Sequence, residues 1–86
     1  MNGRFQAAPT RSFLKQLKKL STNVRTRIER AMEEVVSNPN AGVRLRGKLQ
    51  GLVRWRVGDY RIIYTIDEAK GLIVFVDVGL RKTIYG

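Results

Sequence analysis

The sequence predicts an α+β fold: an N-terminal strand, a two-helix antiparallel hairpin, then a three-stranded antiparallel meander, with the helices packed on one face of the sheet. Two observations lead there. Apolar residues recur at helical spacing as far as residue 36, and from residue 52 onward they alternate with a period of two. Turn residues fall between these periodic segments rather than inside them, which gives each segment its limits. A chain of 86 residues supports one modest core, so residues 1–86 are read as a single domain.

In chain order, GRFQAA (residues 3–8) reads as a short strand, which Pro9 interrupts. Thr10 is a candidate N-cap for TRSFLKQLKKL, where Phe13, Leu14, Leu17 and Leu20 keep helical spacing and Arg11, Lys15, Lys18 and Lys19 take the other side. Ser21-Thr22-Asn23 supplies a turn and a second cap, after which Val24, Ile28, Ala31, Met32, Val35 and Val36 draw an apolar stripe. Arg25/Glu29 and Arg30/Glu34 stand at i,i+4 on this second helix, which must end before Pro39.

The runs LVRWRV, YRIIYTI and LIVFVDV are rich in β-branched and aromatic residues and are separated by Gly58-Asp59 and by residues 67–71. If Gly58-Asp59 is a two-residue turn, Val57 lies opposite Tyr60, Arg56 opposite Arg61, Trp55 opposite Ile62, Arg54 opposite Ile63 and Val53 opposite Tyr64. Val53, Trp55, Val57, Tyr60, Ile62, Tyr64 and Ile66 then share the face toward the helices, joined by Leu72, Val74, Val76 and Val78 of the last strand. Leu52, Arg54, Arg56, Arg61, Ile63 and Thr65 take the other face. On this pattern Trp55 is a structural residue, and Phe75, on the face away from the helices, is the better candidate for stacking on a base.

Composition removes several kinds of chemistry. With 43% hydrophobic residues the chain is a folding sequence and not a disordered tail. It contains neither cysteine nor histidine, which excludes disulfides, thiolate nucleophiles and the commonest general base and zinc ligand. Asp67-Glu68 reads as a hairpin tip and Glu33-Glu34 as a helix surface, and no phosphate loop is present, so no metal or cofactor is expected. No run of 18 apolar residues occurs, and MNGRFQAAP lacks the apolar core of a signal peptide. A cytoplasmic protein without a membrane partner is the expectation. Against this, 17 Lys and Arg face 7 Asp and Glu, a net charge of +10, and a field of that sign attracts polyanions.

The pairing of Arg56 with Arg61 concentrates that charge, since like charges directly opposite in a hairpin destabilise it. Two compensations are open: Asp59 or Asp77 neutralises the guanidinium groups, or the side chains splay into solvent; alternatively an anionic ligand sits among them. Arginine's planar fork of donors suits phosphate. In VGLRKTIYG, Arg81 and Tyr85 leave the last strand where they can join the same face. For Tyr85 the plain alternative is a packing residue at the chain end.

Taken in order, the helical hairpin, LRGKLQG, VRWRVGDYRIIYTID and IVFVDVGLRKTIY resemble the RelE/ParE toxin superfamily, and most closely its RelE-like messenger-RNA interferases. The resemblance covers nearly the whole chain and implies a toxin of a type II toxin–antitoxin system that cleaves messenger RNA in the ribosomal A site without a metal or other cofactor. It further implies that the protein's partners are the ribosome, messenger RNA and an acidic RelB-like antitoxin that wraps it in a hetero-oligomer. Carried over by position, Arg61 holds the scissile phosphate, Arg81 contacts the phosphate and assists the leaving group, and Tyr85 is the general base. Lysines of the strand before the hairpin correspond here to Arg54, with Arg56 beside it, while a further position carries Leu52. Arg46 and Lys48 of LRGK are peripheral RNA contacts or solvated loop charges. The same resemblance leaves two other functions open, a ParE-like inhibitor of DNA gyrase and a non-catalytic basic RNA-binding module.

Overall fold

Two hydroxyl side chains set where the helices begin. In the computed structural model, which describes residues 4–81, Thr10 Oγ1 accepts a hydrogen bond from Phe13 N at 3.0 Å, and Ser21 Oγ accepts one from Val24 N at 3.4 Å. Each occupies the N-cap position, where a side-chain oxygen satisfies an amide the helix leaves unpaired. The elements that follow from them are β1 (Gln6–Pro9), α1 (Arg11–Lys18), α2 (Thr22–Ser37), β2 (Val43–Arg44), β3 (Val53–Val57), β4 (Tyr60–Asp67) and β5 (Leu72–Leu80). Short 3-10 turns at Pro39–Ala41 and Gly47–Leu49 flank β2.

The strands form one sheet in the order β1-β5-β4-β3-β2. β1 runs parallel to β5 and the other pairs are antiparallel. Pro9 is tolerated because β1 is an edge, where its missing N–H takes nothing from the ladder. The expected first strand therefore lies a little later in the chain than GRFQAA, and the two-residue β2 is an addition that no periodicity in so short a stretch announces. The β3–β4 register is the one the Gly58-Asp59 turn predicts, from Val53 opposite Tyr64 to Val57 opposite Tyr60. Gly58 has φ +59°, and a Cβ on it would lie 2.5 Å from the guanidinium of Arg27 on α2. The turn conformation favours glycine there, whereas the Arg27 side chain could swing aside from a Cβ.

Tyr64, Phe13, Phe75, Ile28, Ile62, Ile73, Val35 and Val53 are fully buried between the helices and the sheet. Phe75 lies at the centre, its ring 5.4 Å from Phe13 and 6.0 Å from Tyr64, both tilted, an arrangement favoured by the ring quadrupoles. This corrects the expectation for β5: Ile73, Phe75 and Val78 enter the core, and Leu72, Val74 and Val76 do not. The cause is a β-bulge. Ile63 pairs with Asp77 but Tyr64 pairs with Phe75, so Val76 is an extra residue and the alternation reverses across it. Phe75 is consequently a core ring and is removed from the candidates for base stacking. Leu14 is also displaced from the expected core, 42% exposed. The i,i+4 charges of α2 do not close into ion pairs either; among the described residues the ion pair within 4 Å is Arg4–Glu68.

One polar contact crosses the core. Tyr64 donates its hydroxyl to Pro39 O at 2.6 Å, which fastens the turn after α2 to the middle of the sheet. Gly42 makes room for it, since a Cβ there would meet the Tyr64 hydroxyl at 2.5 Å. Burial pushes the Tyr64 phenol up to about 12, with the Arg44 charge acting weakly against it. A phenol that holds its proton more tightly when folded contributes stability that is fully present below its unfolded value near 10 and lost as pH rises through its folded value. Tyr64→Phe should lower unfolding free energy at neutral pH by about 1–2 kcal/mol in urea titrations with an unchanged slope. It should also flatten the decline in stability that the wild type shows between about pH 10 and 12.

Candidate functional site

The face of the sheet away from the helices carries its charge in rows. Arg54 on β3 lies beside Ile63 on β4, and Ile63 beside Asp77 on β5; in the next row Arg56 lies beside Arg61, and Arg61 beside Gly79. Arg81 follows β5 directly, its amide donating to Asp59 O at 2.9 Å across the end of the β3–β4 turn. The two-residue turn sets the first pairing and the β4–β5 register sets the second, so three arginines of β3 and β4 and Arg81 at the end of β5 converge by backbone geometry.

Their proximity registers on Arg61. Its side chain is only 7% exposed, and its pKa is lowered by burial first and then by the positive charges of Arg54, Arg81 and Arg56. Arginine's ordinary value is so far above neutrality that the group nonetheless remains a cation. Ile63, fully buried but outside the helix-side core, provides apolar flooring in the adjacent row. Arg54 and Arg81 are half-buried, whereas Arg56 is exposed.

Neutralisation by acids, one of the two compensations the sequence left open, is not how Arg54, Arg56 and Arg81 are accommodated: among the described residues no carboxylate lies within ion-pair distance of them. Asp59 contributes a backbone carbonyl to Arg81, and Asp77 Oδ1 accepts from Val78 N at 2.9 Å. The arrangement is a partly desolvated cluster of fork-shaped donors, which is chemically a seat for a phosphate or another anion.

The other site residues expected from sequence lie elsewhere. Arg46 and Lys48 are exposed on the connection between β2 and β3, and Arg46 lines a hollow of about 520 Å³ with Arg44, Gln50 and Leu52. That connection is tied to β4 through Thr65 Oγ1, which donates to Gly51 O at 2.8 Å. Thr65 is four residues along the strand from Arg61, roughly 13 Å at the usual rise. The connection that carries Arg46 and Lys48 thus joins the sheet at the end of β3 nearer Arg54, away from the row of Arg61. Tyr85 lies outside the described residues. Asp77, which the sequence offers as a neutralising charge, pairs with Ile63 and so shares the arginine face, as its alternation with Val78 signals. No group of three or more carboxylates that could hold a metal ion occurs among the described residues, nor is any helix there long and apolar enough to cross a membrane.

Comparison with known proteins gives a family and a set of folds. A family model described as the ParE toxin of the type II toxin–antitoxin system parDE matches residues 8–85. The toxin–antitoxin complex RelBE2 from Mycobacterium tuberculosis contains a chain that is 28% identical, with a TM-score of 0.83 over 91% of this chain and 92% of that one. The intact RelBE toxin–antitoxin complex of E. coli gives 25% identity and a TM-score of 0.75 over 88% and 95%. A YoeB/ParE toxin from Agrobacterium tumefaciens shares the fold at 14% identity, with a TM-score of 0.78 over 90% and 99%. No curated protein matches the chain.

The repulsion on the arginine face is screened by salt, because its outer members meet solvent. At fixed pH the melting temperature should rise as sodium chloride is raised from about 20 to 200 mM, across which the Debye length falls roughly threefold. The rise should be smaller in Arg56→Ala, as measured by circular dichroism.

Proposed function

The chain belongs to the RelE/ParE superfamily of type II toxin–antitoxin toxins, and we propose that it is a ribosome-dependent endoribonuclease that cleaves messenger RNA in the A site and so inhibits translation. The observation that carries this reading is the convergence of Arg54, Arg56, Arg61 and Arg81 on one face of the sheet. Its neutralising partner is an acidic, RelB-like antitoxin. RelBE complexes are among the structures this chain is similar to, and a net charge of +10 favours an acidic partner.

Cleavage by the neighbouring ribose hydroxyl forms a bond from the 2′-oxygen to phosphorus and breaks the bond from phosphorus to the 5′-oxygen. It needs an acceptor for the 2′ proton, cations for the charge that builds on the phosphoryl oxygens, and a proton for the departing oxygen. Arg61, held in place by its burial, is assigned the phosphate, with Arg54 and Arg56 adding charge from β3. Arg81 stabilises the leaving side as a charge rather than as an acid, since guanidinium gives up a proton reluctantly. With no histidine in the chain, the proton acceptor is assigned to Tyr85, the role that the family resemblance implies for it. The binding of phosphate also offsets the mutual repulsion of the arginines, so substrate relieves a strain of the free protein.

A second reading is favoured by the family model, whose description is a ParE toxin: inhibition of DNA gyrase. Primer extension on message translated in a purified system separates the two. The wild type should cut only when ribosomes are present, and Arg81→Ala should reduce the cut at least 100-fold, the scale of losing a transition-state charge contact, with its circular dichroism unchanged. Uncut message with translation unimpaired, together with loss of supercoiling in a gyrase reaction, would select the second reading instead.

A further inference from the structure

Trp55 is the one tryptophan of the chain, and the alternation of β3 sends it to the helix side, where it packs against the core without being enclosed by it. It stays half-buried. The indole is a wall of a hollow of about 240 Å³ between α2 and β3, with Arg27, Arg30, Glu34 and Arg56 around it. A wider hollow of about 750 Å³ shares Arg30, Glu34 and Trp55 with the first and continues toward the end of α2 at Ser37. Core packing accounts for one part of the ring and leaves unexplained the basic groups about the other.

Two features connect this hollow with the arginine face. β2 pairs with β3 only at Val53 and Arg54, so among the described residues no strand lies beside Trp55, Arg56 and Val57 on that side. Arg56 belongs to both surfaces: it lies opposite Arg61 in the hairpin and also lines the hollow. Arg27 adds charge at the same end of the sheet, its guanidinium resting against the turn at Gly58. Positive charge therefore continues from the sheet face, round the edge of β3, to the exposed side of α2. Within the hollow three arginines meet one carboxylate, and among the described residues none of the three has a carboxylate within ion-pair distance.

Single-stranded RNA is held by two chemistries together, aromatic rings on which bases stack and cations that follow the phosphates. Both stand side by side here. Guanidinium groups serve twice, since their planes stack on bases and their forks of donors fit phosphate. Continuity with the arginine face favours a nucleic-acid strand over a protein side chain, because the strand reaches the hollow from the phosphate seat by passing Arg56. Resting on the nuclease reading above, we propose that the hollow between α2 and β3 is a base-binding subsite: a nucleotide flanking those on the arginine face stacks its base on Trp55, and Arg27 and Arg30 take the adjoining phosphate.

With a single tryptophan in the chain, its emission reports on this hollow alone. The emission of the wild type is followed as a short oligoadenylate is added, beside an abasic ribose-phosphate oligomer of the same length and an oligoglutamate of the same charge. Anisotropy of the labelled oligomers gives the affinities. The adenylate should quench the emission saturably, and the abasic oligomer should bind without quenching it. Trp55→Leu should weaken the adenylate about tenfold, within the range for one stacked base, and leave the abasic oligomer unaffected. If that variant does not fold, Arg30→Ala, at an exposed position of α2, should weaken both oligomers severalfold. Equal quenching by the abasic oligomer overturns the subsite, and so does adenylate binding that neither quenches Trp55 nor responds to Trp55→Leu and Arg30→Ala. The phosphate seat of the nuclease reading stands in either case if Arg54→Ala still weakens the adenylate. Quenching by the oligoglutamate and not by the adenylate gives the hollow to an acidic protein partner and overturns the subsite as well. No binding of either ribose-phosphate oligomer at low salt overturns both levels.

Discussion

Everything on the functional face depends on the register of the β3–β4 hairpin, and that register depends on two residues. Gly58 and Asp59 close the turn, Gly58 with a positive φ and with Arg27 packed where a Cβ would stand. A turn longer by one residue would shift the pairing and send every side chain of one strand to the opposite face. With β3 flipped, Arg54 and Arg56 would take the places of Trp55 and Val57 on the face toward the helices. The core and the arginine face are therefore one decision: the hydrophobic alternation that fills one side obliges the charges to gather on the other. Burial of Trp55 and its neighbours outweighs the repulsion, because exposed like charges at such distances repel by about 1 kcal/mol in water while a single buried core side chain contributes about 1.5–3 kcal/mol.

β5 adds a second constraint that works against simple alternation. The bulge at Val76 lets Phe75 reach the space between Phe13 and Tyr64 while Val78 still packs beneath Ile62. Without it, one half of the strand would face wrongly. The bulge also sets Gly79 beside Arg61 and Asp77 beside Ile63, so the strand that completes the core shapes the arginine face as well. Packing and site are again coupled through backbone register and not through any dedicated element.

This coupling explains what the sequence made legible. The helix caps at Thr10 and Ser21, the apolar stripe of α2, the hairpin register and the facing of Arg56 and Arg61 all follow from local rules with short reach, and the structure bears them out. A bulge has no such signature. LIVFVDV is apolar on both parities, so alternation could not say whether Val74 or Phe75 faces the helices, and the assignment of Phe75 to the open face failed there. β2 was invisible because two residues carry no period. Within the site, the arginines of β3 and β4 were readable from the turn. The path of the connection that carries Arg46 and Lys48 was not, since it depends on a contact from Thr65 to Gly51 that joins residues 14 positions apart.

A face whose guanidinium groups repel one another, and whose repulsion an anion would offset, is the physical content of the account. Arg56 is the member best suited to test it, being exposed and so removable without opening a cavity. The decisive measurement is the melting temperature of the wild type and of Arg56→Ala at low, fixed ionic strength, each alone and with excess single-stranded RNA. The account requires the variant to melt above the wild type when alone and to gain less from RNA. A variant that melts below the wild type alone, or gains as much from RNA, would contradict it, for the arginines would then be neither strained nor a seat.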